Sequence, residues 1–439
     1  MSITRKLLMC GSQGSSDNWY LQYGGFSSSI SNQKGRVAIG GAGYDVYLLS
    51  EGSGSNYAAQ FFINKFDVDG TLIWQKEFGS AGVDTANGIS VDSNNRVYVC
   101  GHRTGFNPGG GGIFVAKYDA GGSPVYESFF GSSTSGQDKG YAIDARNQAT
   151  YSYVAGALAG QSPNGNDYFS VVQLDANGSV QWNRVLSTAY QDSAALGIFN
   201  RTDQGHIYVT GVSSTKIIVA KYNTSGVLNW QKEFNGFNPS QGNDIYVDGN
   251  NNVYVAGTII DNSTNAAALI KLNSNGGLVW QRVLTGAQDD FANAVTVDGD
   301  GNIYLCGTTE SVSPNGKSNM LFAKYNSSGV IQWQRAFGTL GTSQGQSGFG
   351  VDVDFLGNVY FSGQNNYPYI NALLVKPATN GSGTGVYSDF SYFNSALTEK
   401  AGSMSISTAT HQTYSESVSM STQSTARSTP TLSTSLVPM

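Results

Sequence analysis

The chain has 439 residues, a formal net charge of −6 and only 12% Asp, Glu, Lys and Arg, against about 25% in an ordinary soluble domain. That acidic, charge-poor balance excludes a phosphate-reading surface, because affinity for nucleic acid rests on clustered Lys and Arg. Three cysteines exclude a disulfide framework, and no apolar run approaches the ~18 residues of a membrane span.

Residues 1–17 read as an arm, Thr4-Arg5-Lys6-Leu7-Leu8 followed by a Gly/Ser stretch. Cys10 after Leu7-Leu8-Met9 imitates a lipoprotein signal, but the apolar run is shorter than the ~7–15 residues of a signal h-region. Residues 18–24, Asn18-Trp19-Tyr-Leu-Gln-Tyr-Gly24, match Asn229-Trp230-Gln-Lys-Glu-Phe-Asn235, the last strand of a later unit. The repeat therefore starts out of phase, with its fourth strand first. A ring of repeats closes either through this N-terminal strand or through Gly385-Val-Tyr-Ser-Asp-Phe390, which matches Pro124-Val-Tyr-Glu-Ser-Phe129. N-terminal closure is the expectation, and 385–392 is the rival.

Two phrases then alternate along the chain. The first, Phe322-Ala-Lys-Tyr-Asn-Ser-Ser-Gly329 leading to Trp333, is strand, tight turn, strand, with Gly supplying the positive φ that such turns need. It returns at 61–75, 113–127, 168–183, 217–231 and 267–281, and in a worn copy from Asn371. The second, Ala294-Val-Thr-Val-Asp-Gly-Asp-Gly-Asn-Ile-Tyr-Leu-Cys-Gly307, closes at Gly41, Gly101, Gly156, Gly211, Gly257, Gly307 and Gly363, spacings of 46 to 60 residues. The residue before each closing glycine is small, which places backbone close to something, most simply the convergence of blades on an axis. Four strands per such period predict an all-β fold, a seven-bladed β-propeller of four-stranded antiparallel blades over 18–393 with extended N- and C-terminal tails.

The six tryptophans, Trp19, Trp74, Trp182, Trp230, Trp280 and Trp333, share one register, with Tyr126 in the second unit; they are expected to be aromatic wedges between blades. Lys65, Lys117, Lys221, Lys271, Lys324 and Lys376 share another, with Gln173 in the third unit, as stems lying along the blade with heads at an edge. Cys100 and Cys306 fill the same small slot in different units and are expected buried, reduced and unbonded to each other.

Connections one and three of each unit are short and fall on one face of the disc; connections two and four vary and fall on the other. The variable face is the candidate binding face. Its long members, 42–60, 102–112, 157–167, 308–319 and 364–370, offer Tyr44, His102, Arg103, Asn164, Asn315, Asn366 and Tyr367 as binding candidates. Residues 394–439 form a Ser/Thr-rich tail in which polar and apolar side chains alternate around Ile406, Tyr414, Val418 and Met420, as in an extended strand laid on another surface. Both tails lack the apolar content to order themselves, so a neighbouring chain is the expected partner, with Leu7, Leu8, Ile406, Tyr414, Val418 and Met420 as assembly residues.

Catalytic constellations do not assemble. The three histidines, His102, His206 and His411, lie in unrelated contexts. Asp298-Gly-Asp300-Gly-Asn302 imitates a calcium loop but occupies the ordinary turn register and lacks the closing Glu. No metal or cofactor site is expected.

Asn252-Val-Tyr-Val-Ala-Gly257 and Phe322-Ala-Lys-Tyr-Asn-Ser-Ser-Gly329 resemble the bacterial seven-bladed β-propeller repeat family over roughly residues 18–393. The Gly-x-x-x-Trp-Gln ending is similar to the repeats of quinoprotein-type propellers, though the match is to scaffold and implies no quinone. The Asp-box of sialidases, Ser-x-Asp-x-Gly-x-x-Trp, is departed from by one residue between Gly and Trp, which weakens a glycosidase reading. The opening Met1-Ser-Ile-Thr-Arg-Lys-Leu-Leu-Met-Cys-Gly11 resembles the starts of structural proteins from marine tailed bacteriophages. Together these resemblances imply a non-enzymatic virion component, a propeller on a tail, fibre or other appendage, anchored by its tails and displayed to the host surface. The implied partners are other copies of itself, other virion proteins and a host-surface glycan or protein, with no nucleic acid and no membrane insertion. A secreted or envelope-attached bacterial scaffold is the alternative, and a glycan-processing enzyme the third reading.

Overall fold

The structure, a computed structural model, describes residues 3–8, 19–24, 36–40, 45–52, 60–78, 84–104, 111–131, 137–146, 150–159, 167–187, 193–235, 239–312, 317–339, 345–366, 371–382, 384–387, 390–394, 397–401, 404–408, 412–414 and 419–420. Seven antiparallel sheets follow one another as the blades of a propeller. Blade six is representative: Asp290–Val297 innermost, then Ile303–Thr309, Asn319–Tyr325 and Ile331–Thr339 at the rim. Blade seven is closed by the N-terminal strand Trp19–Gly24, which pairs with Asn371–Lys376 from Trp19↔Lys376 to Gly24↔Asn371. The rival segment lies elsewhere, with Gly385–Tyr387 and Phe390–Asn394 outside the fourth strand of blade six.

Blade one corrects the sequence reading. Its strands are Arg36–Ile39, Val46–Gly52, Gln60–Phe66 and Leu72–Phe78, and Tyr47 pairs with Lys65 as Tyr98 pairs with Lys117. Val46–Gly52 is therefore the second strand, Ser50 stands where the other blades have their closing glycine, and Gly41 falls in the first connection. Arg36-Val-Ala-Ile-Gly-Gly41 imitates the end of a second strand because it, too, is an apolar run stopped by glycine.

The other six closing glycines have a local cause rather than an axial one. Each faces a bulge in the innermost strand of its own blade, as at Ala292/Ala294 opposite Gly307 and Cys306. The extra residue pushes a carbonyl into the space a side chain would need. A Cβ on Gly101, Gly211 or Gly307 would fall on the carbonyl oxygen of Thr85, Ala194 or Phe291. In blade one the pairing of the first two strands is described from Arg36↔Leu49 to Ile39↔Val46, so the partner of Ser50 lies outside the described residues. Cys100 and Cys306, just before two of these glycines, are buried free thiols; burial pushes the Cys100 thiol up to about 12.

Blades are joined by a repeated clamp. In the third turns of blades one to six an Asp or Asn accepts two backbone N–H groups, as Asn326 Oδ1 does from Ser328 at 3.1 Å and Val330 at 2.9 Å, and in all seven a glycine at positive φ completes the bend. The aromatic slot of the preceding blade packs directly on that glycine: Trp19 on Gly70, Tyr126 on Gly178, Trp280 on Gly329 and Trp333 on Gly381. The indole N–H then donates across the interface, from Trp182 to Thr224 O at 3.1 Å and from Trp230 to Ser274 O at 3.2 Å. The lysine register adds a second donor to the same kind of acceptor, Lys117 to Ala176 O at 3.2 Å and Lys271 to Ser327 O at 3.1 Å. Arg184, Arg282 and Arg335 add a third, to the carbonyls of Gly226, Gly329 and Gly381 at 2.7, 2.7 and 2.8 Å. Blade seven makes the same clamp on blade one through Trp19 and Lys376, both donating to Val68 O at 3.3 Å.

The tails pair with their own chain. Ile3–Leu8 lies outside Trp19–Gly24, with Leu7↔Tyr20 and Leu8↔Trp19. The C-terminal strands run backwards round the rim, adding one outer strand in turn to blades six, five, four, three and two. Their registers are Phe337↔Tyr392, Leu284↔Glu399, Phe234↔Ile406, Leu186↔Thr413 and Phe130↔Met420, one blade for every seven residues. Between steps, Leu397 is buried against blades five and six and Met404 against blades four and five. Gln334 and Gln281 Nε2 donate to the Leu397 and Met404 carbonyls at 2.8 and 3.1 Å. The expectation that a second chain must order the tails thus needs correction for these strands: each blade offers a free outer edge, and the chain's own tail takes it. Tyr414 lies on the same belt opposite Val185; Val418 lies outside the described residues.

Two outcomes check this account. Gly307→Ala should cost more than ~3 kcal/mol in urea unfolding, whereas Gly249→Ala, whose Cβ meets nothing within 4 Å, should stay within about 0.5 kcal/mol. Removing residues 388–439 should leave the blades' β-sheet circular-dichroism spectrum in place while exposing five outer edges, giving a lower melting midpoint and concentration-dependent self-association in light scattering. A truncated chain that stays as stable and as monodisperse as the full chain would show that the belt covers nothing of consequence.

Candidate functional site

The two faces differ in a way that the strand order makes explicit. Second connections in blades four and five are two-residue turns, Ser214-Thr215 and Asn262-Ser263, with φ of 61° at Ser214 and 48° and 78° at Asn262 and Ser263. Those of blades six, seven, one, two and three are longer, lying between Thr309 and Asn319, Asn365 and Asn371, Gly52 and Gln60, Thr104 and Gly111, and Leu158 and Tyr168. The long connections thus occupy one continuous arc of five neighbouring blades on one face.

Of the residues expected to bind there, Asn164, Asn315 and Tyr367 lie outside the described residues. Tyr44 also lies outside the described residues. Arg103 is on the arc side but is enclosed: its guanidinium pairs with Glu127 at 3.0 Å and lies 4.5 Å from the Phe129 ring centre and 5.7 Å from that of Phe114. Its role is to hold blade two together. His102, beside it, is half-buried. Asn366 donates its backbone N–H to Gly345 O at 3.3 Å and its Oδ1 accepts from Gln364 Nε2, which ties the start of a long connection to the scaffold.

The calcium-like turn is likewise self-sufficient. Asp298 Oδ1 accepts the N–H groups of Asp300 and Asn302 at 3.0 and 2.8 Å, and Oδ2 accepts Asn302 Nδ2 at 2.8 Å and the Tyr304 hydroxyl at 3.1 Å. Asp248 and Asp354 repeat the pattern. Among the described residues no three His, Cys, Asp or Glu side chains come together as metal ligands.

The concentration of charge that sequence reasoning missed lies on the propeller axis. A cavity of about 380 Å³ is walled by the innermost strands and opens among the first turns, on the face away from the long arc. Register explains its chemistry. The inner-strand residue paired with the position before the closing glycine, or before Ser50 in blade one, is Gly88, Ala142, Gly197, Ala294 or Gly350 in five blades, but Arg36 in blade one and Asp244 in blade five, and these last two line the cavity. Asp352, Arg146 and Tyr246 complete the polar lining. Arg146 is neutralised by Asp144 at 3.1 Å and stacks 4.5 Å from the Phe199 ring centre. Asp352 Oδ2 accepts Ile39 N–H at 3.0 Å and Asp244 Oδ2 accepts Val295 N–H at 2.9 Å, each linking its inner strand to the next blade. Aligning the seven inner strands and asking where a charge replaces a small residue would have found Arg36 and Asp244.

Burial decides the protonation tendencies here. It pushes the Asp244 carboxyl up to about 6 against the opposing pull of the Val295 and Ile245 N–H groups and of Arg36 and Arg146, and it raises Asp352 in the same sense. Burial also lowers Arg36, only partly countered by the charge of Asp244.

A beta-propeller repeat family matches residues 73–105 and 279–312, each stretch running from the fourth strand of one blade into the second strand of the next. Among curated proteins none matches. The Dos1 propeller superposes with a TM-score of 0.50 at 9% identity, over 82% of this chain and 85% of that one. A protein of unknown function from Bacteroides caccae gives 0.41 at 13%, over 69% and 93%, and the phage phi92 endosialidase 0.44 at 11%, over 82% and 69%. At these identities the likeness concerns the fold alone.

Because the folded state raises the Asp244 pKa above its unfolded value near 3.8, this group favours folding most below pH ~4 and loses that contribution as pH rises through about 6. Asp244→Asn should therefore match the wild type in melting midpoint near pH 4 and exceed it above pH 6. A difference that does not grow between those pH values would remove the carboxyl from the axis.

Proposed function

Since the chain folds as a seven-bladed β-propeller with stretches that match a beta-propeller repeat family, a scaffold that hosts many roles, we propose that this protein is a non-enzymatic binding and structural component of a virion appendage. Its long-connection arc meets a host-surface glycan or protein, and its tails contribute to assembly with further copies or other virion proteins. The observation that carries this reading is the division of surfaces. The belt occupies the outer edges of blades two to six, and the N-terminal strand that of blade seven, so contact with a target falls to a face. On one face, five consecutive blades raise long connections beside two that do not, the arrangement of a scaffold that presents variable loops. The low charge fraction and the opening residues that resemble marine tailed-phage structural proteins favour the extracellular particle over a secreted or envelope-attached scaffold.

The test is binding by the labelled full chain to host cells, together with mass spectrometry of purified particles. Replacing 310–318 and 159–167 by two-residue turns copied from Asn262-Ser263 should abolish cell binding while leaving the circular-dichroism spectrum unchanged. Absence of the chain from particles would overturn the virion assignment. Release of reducing ends from host polysaccharide would overturn the non-enzymatic one.

A further inference from the structure

Arg36 presents a charge that the fold neither requires nor neutralises. Five other blades fill its register with Gly or Ala, so a small residue suffices for the bulge-side packing. Its Nε has no hydrogen-bond partner, its Nη1 reaches only the Phe349 carbonyl at 3.5 Å, and among the described residues no carboxylate lies within ion-pair distance of it. The side chain lies half-buried on the cavity wall, and its Nε, closed off from water with no partner, is a donor whose desolvation is not repaid. By contrast Arg146, in the same cavity, is fully engaged by Asp144 and the Phe199 ring.

We infer that the axial cavity is a binding site for a small organic carboxylate, held by the Arg36 guanidinium, with Asp244 and Asp352 accepting hydroxyl or ammonium donors from the same ligand. The planar fork of Arg36 suits a carboxylate. The surrounding carboxylates select against a more highly charged anion: with Arg146 committed to Asp144, the acids Asp244 and Asp352 repel a dianion such as sulfate about twice as strongly as a monocarboxylate. Asp244 and Asp352 each receive backbone N–H groups, yet a carboxylate has about four acceptor positions, so both can accept more. The cavity, about 380 Å³, is large enough for a ligand of metabolite size. Its mouth supplies an apolar lip: Phe355, 81% exposed, lines the cavity, and Leu356 beside it is 61% exposed, where the first turns of blades two, five and six carry Ser93-Asn94, Gly249-Asn250 and Gly299-Asp300. That lip would cover the carbon skeleton once the carboxylate is seated below.

The experiment is thermal unfolding and calorimetric titration of the full chain with benzoate, L-lactate and D-glucuronate, with D-glucose and sulfate as controls. At least one carboxylate should bind saturably at millimolar concentration, sulfate and glucose should not, and Arg36→Gln should weaken the carboxylate at least tenfold. The ligand-free Arg36→Gln chain should melt no lower than the wild type, because the substitution removes a guanidinium whose shielded Nε has no partner; a purely structural arginine would instead lower it. Asp244→Asn, independent of whether Arg36→Gln folds, should tighten benzoate, which carries no donor for Asp244, by removing an opposing charge, and should do so less for L-lactate and D-glucuronate. No saturable carboxylate, equal affinity in Arg36→Gln, sulfate binding as tight as carboxylate, or an Asp244→Asn chain of unchanged affinity for benzoate would each overturn the assignment.

Discussion

The contact on which the molecule depends is the packing of one blade's aromatic ring on the glycine of the next blade's third turn. A glycine at positive φ leaves a flat patch of backbone, and Trp280 over Gly329 or Trp333 over Gly381 fills it face-on. Any side chain there would both strain the turn and lift the ring. The same turn exposes the carbonyls that the indole, lysine and arginine donors reach, so hydrophobic burial and hydrogen bonding are satisfied by one piece of chain. Lys271 illustrates the economy: its ammonium lies 5.1 Å from the Tyr254 ring centre within its own blade and still donates to Ser327 O in the next. Because each clamp reads only the neighbouring unit, seven near-identical units close a ring, and Trp19 closes it by offering blade one the ring that every other blade receives.

The inner edges of the sheets converge on the axis, which leaves seven outer edges to be managed. The fourth strand of each blade presents unpaired backbone groups at the rim, a template for association. Here the polypeptide covers them itself, Ile3–Leu8 on blade seven and the retreating tail on six to two, while among the described residues Leu72–Phe78 of blade one carries no added strand. The seven-residue step is a measure of the rim: seven extended residues reach at most about 25 Å, and that must span one outer edge to the next. Low apolar content is no obstacle to ordering such a segment, because its backbone gains ladder hydrogen bonds at each of blades two to six and, among the described residues, Leu397 and Met404 are inserted between them.

Function is expected where repetition breaks. The clamp residues, turn acids and closing glycines recur because the scaffold needs them in each unit. Arg36 and Asp244 interrupt a ring of small residues, Phe355 and Leu356 interrupt a set of polar turns, and the long connections interrupt the short ones of blades four and five. These departures fall on two opposite faces, an axial cavity on one and a loop arc on the other.

By itself the sequence determined the blade count, the antiparallel four-strand unit, the phase of the repeat and the shared register of Trp, Lys and small residues, because each is a local pattern copied often enough that chance is excluded. His102 and Arg103 were placed on the correct side for the same reason, although only the structure showed Arg103 sealed between Glu127, Phe114 and Phe129. Blade one was misread where Gly41 imitated a strand end, since an apolar run stopped by glycine looks the same in sequence whether or not that glycine faces a bulge. The tail's step was also legible in principle, as Leu397, Met404, His411 and Val418 stand seven apart, yet nothing local says that the distance between blade edges is what a seven-residue step matches. The axial group is the least local of all. Arg36, Arg146, Asp244 and Asp352 come from blades one, three, five and seven, and only closure of the ring brings four separately ordinary residues into one poorly hydrated channel where their charges act on one another.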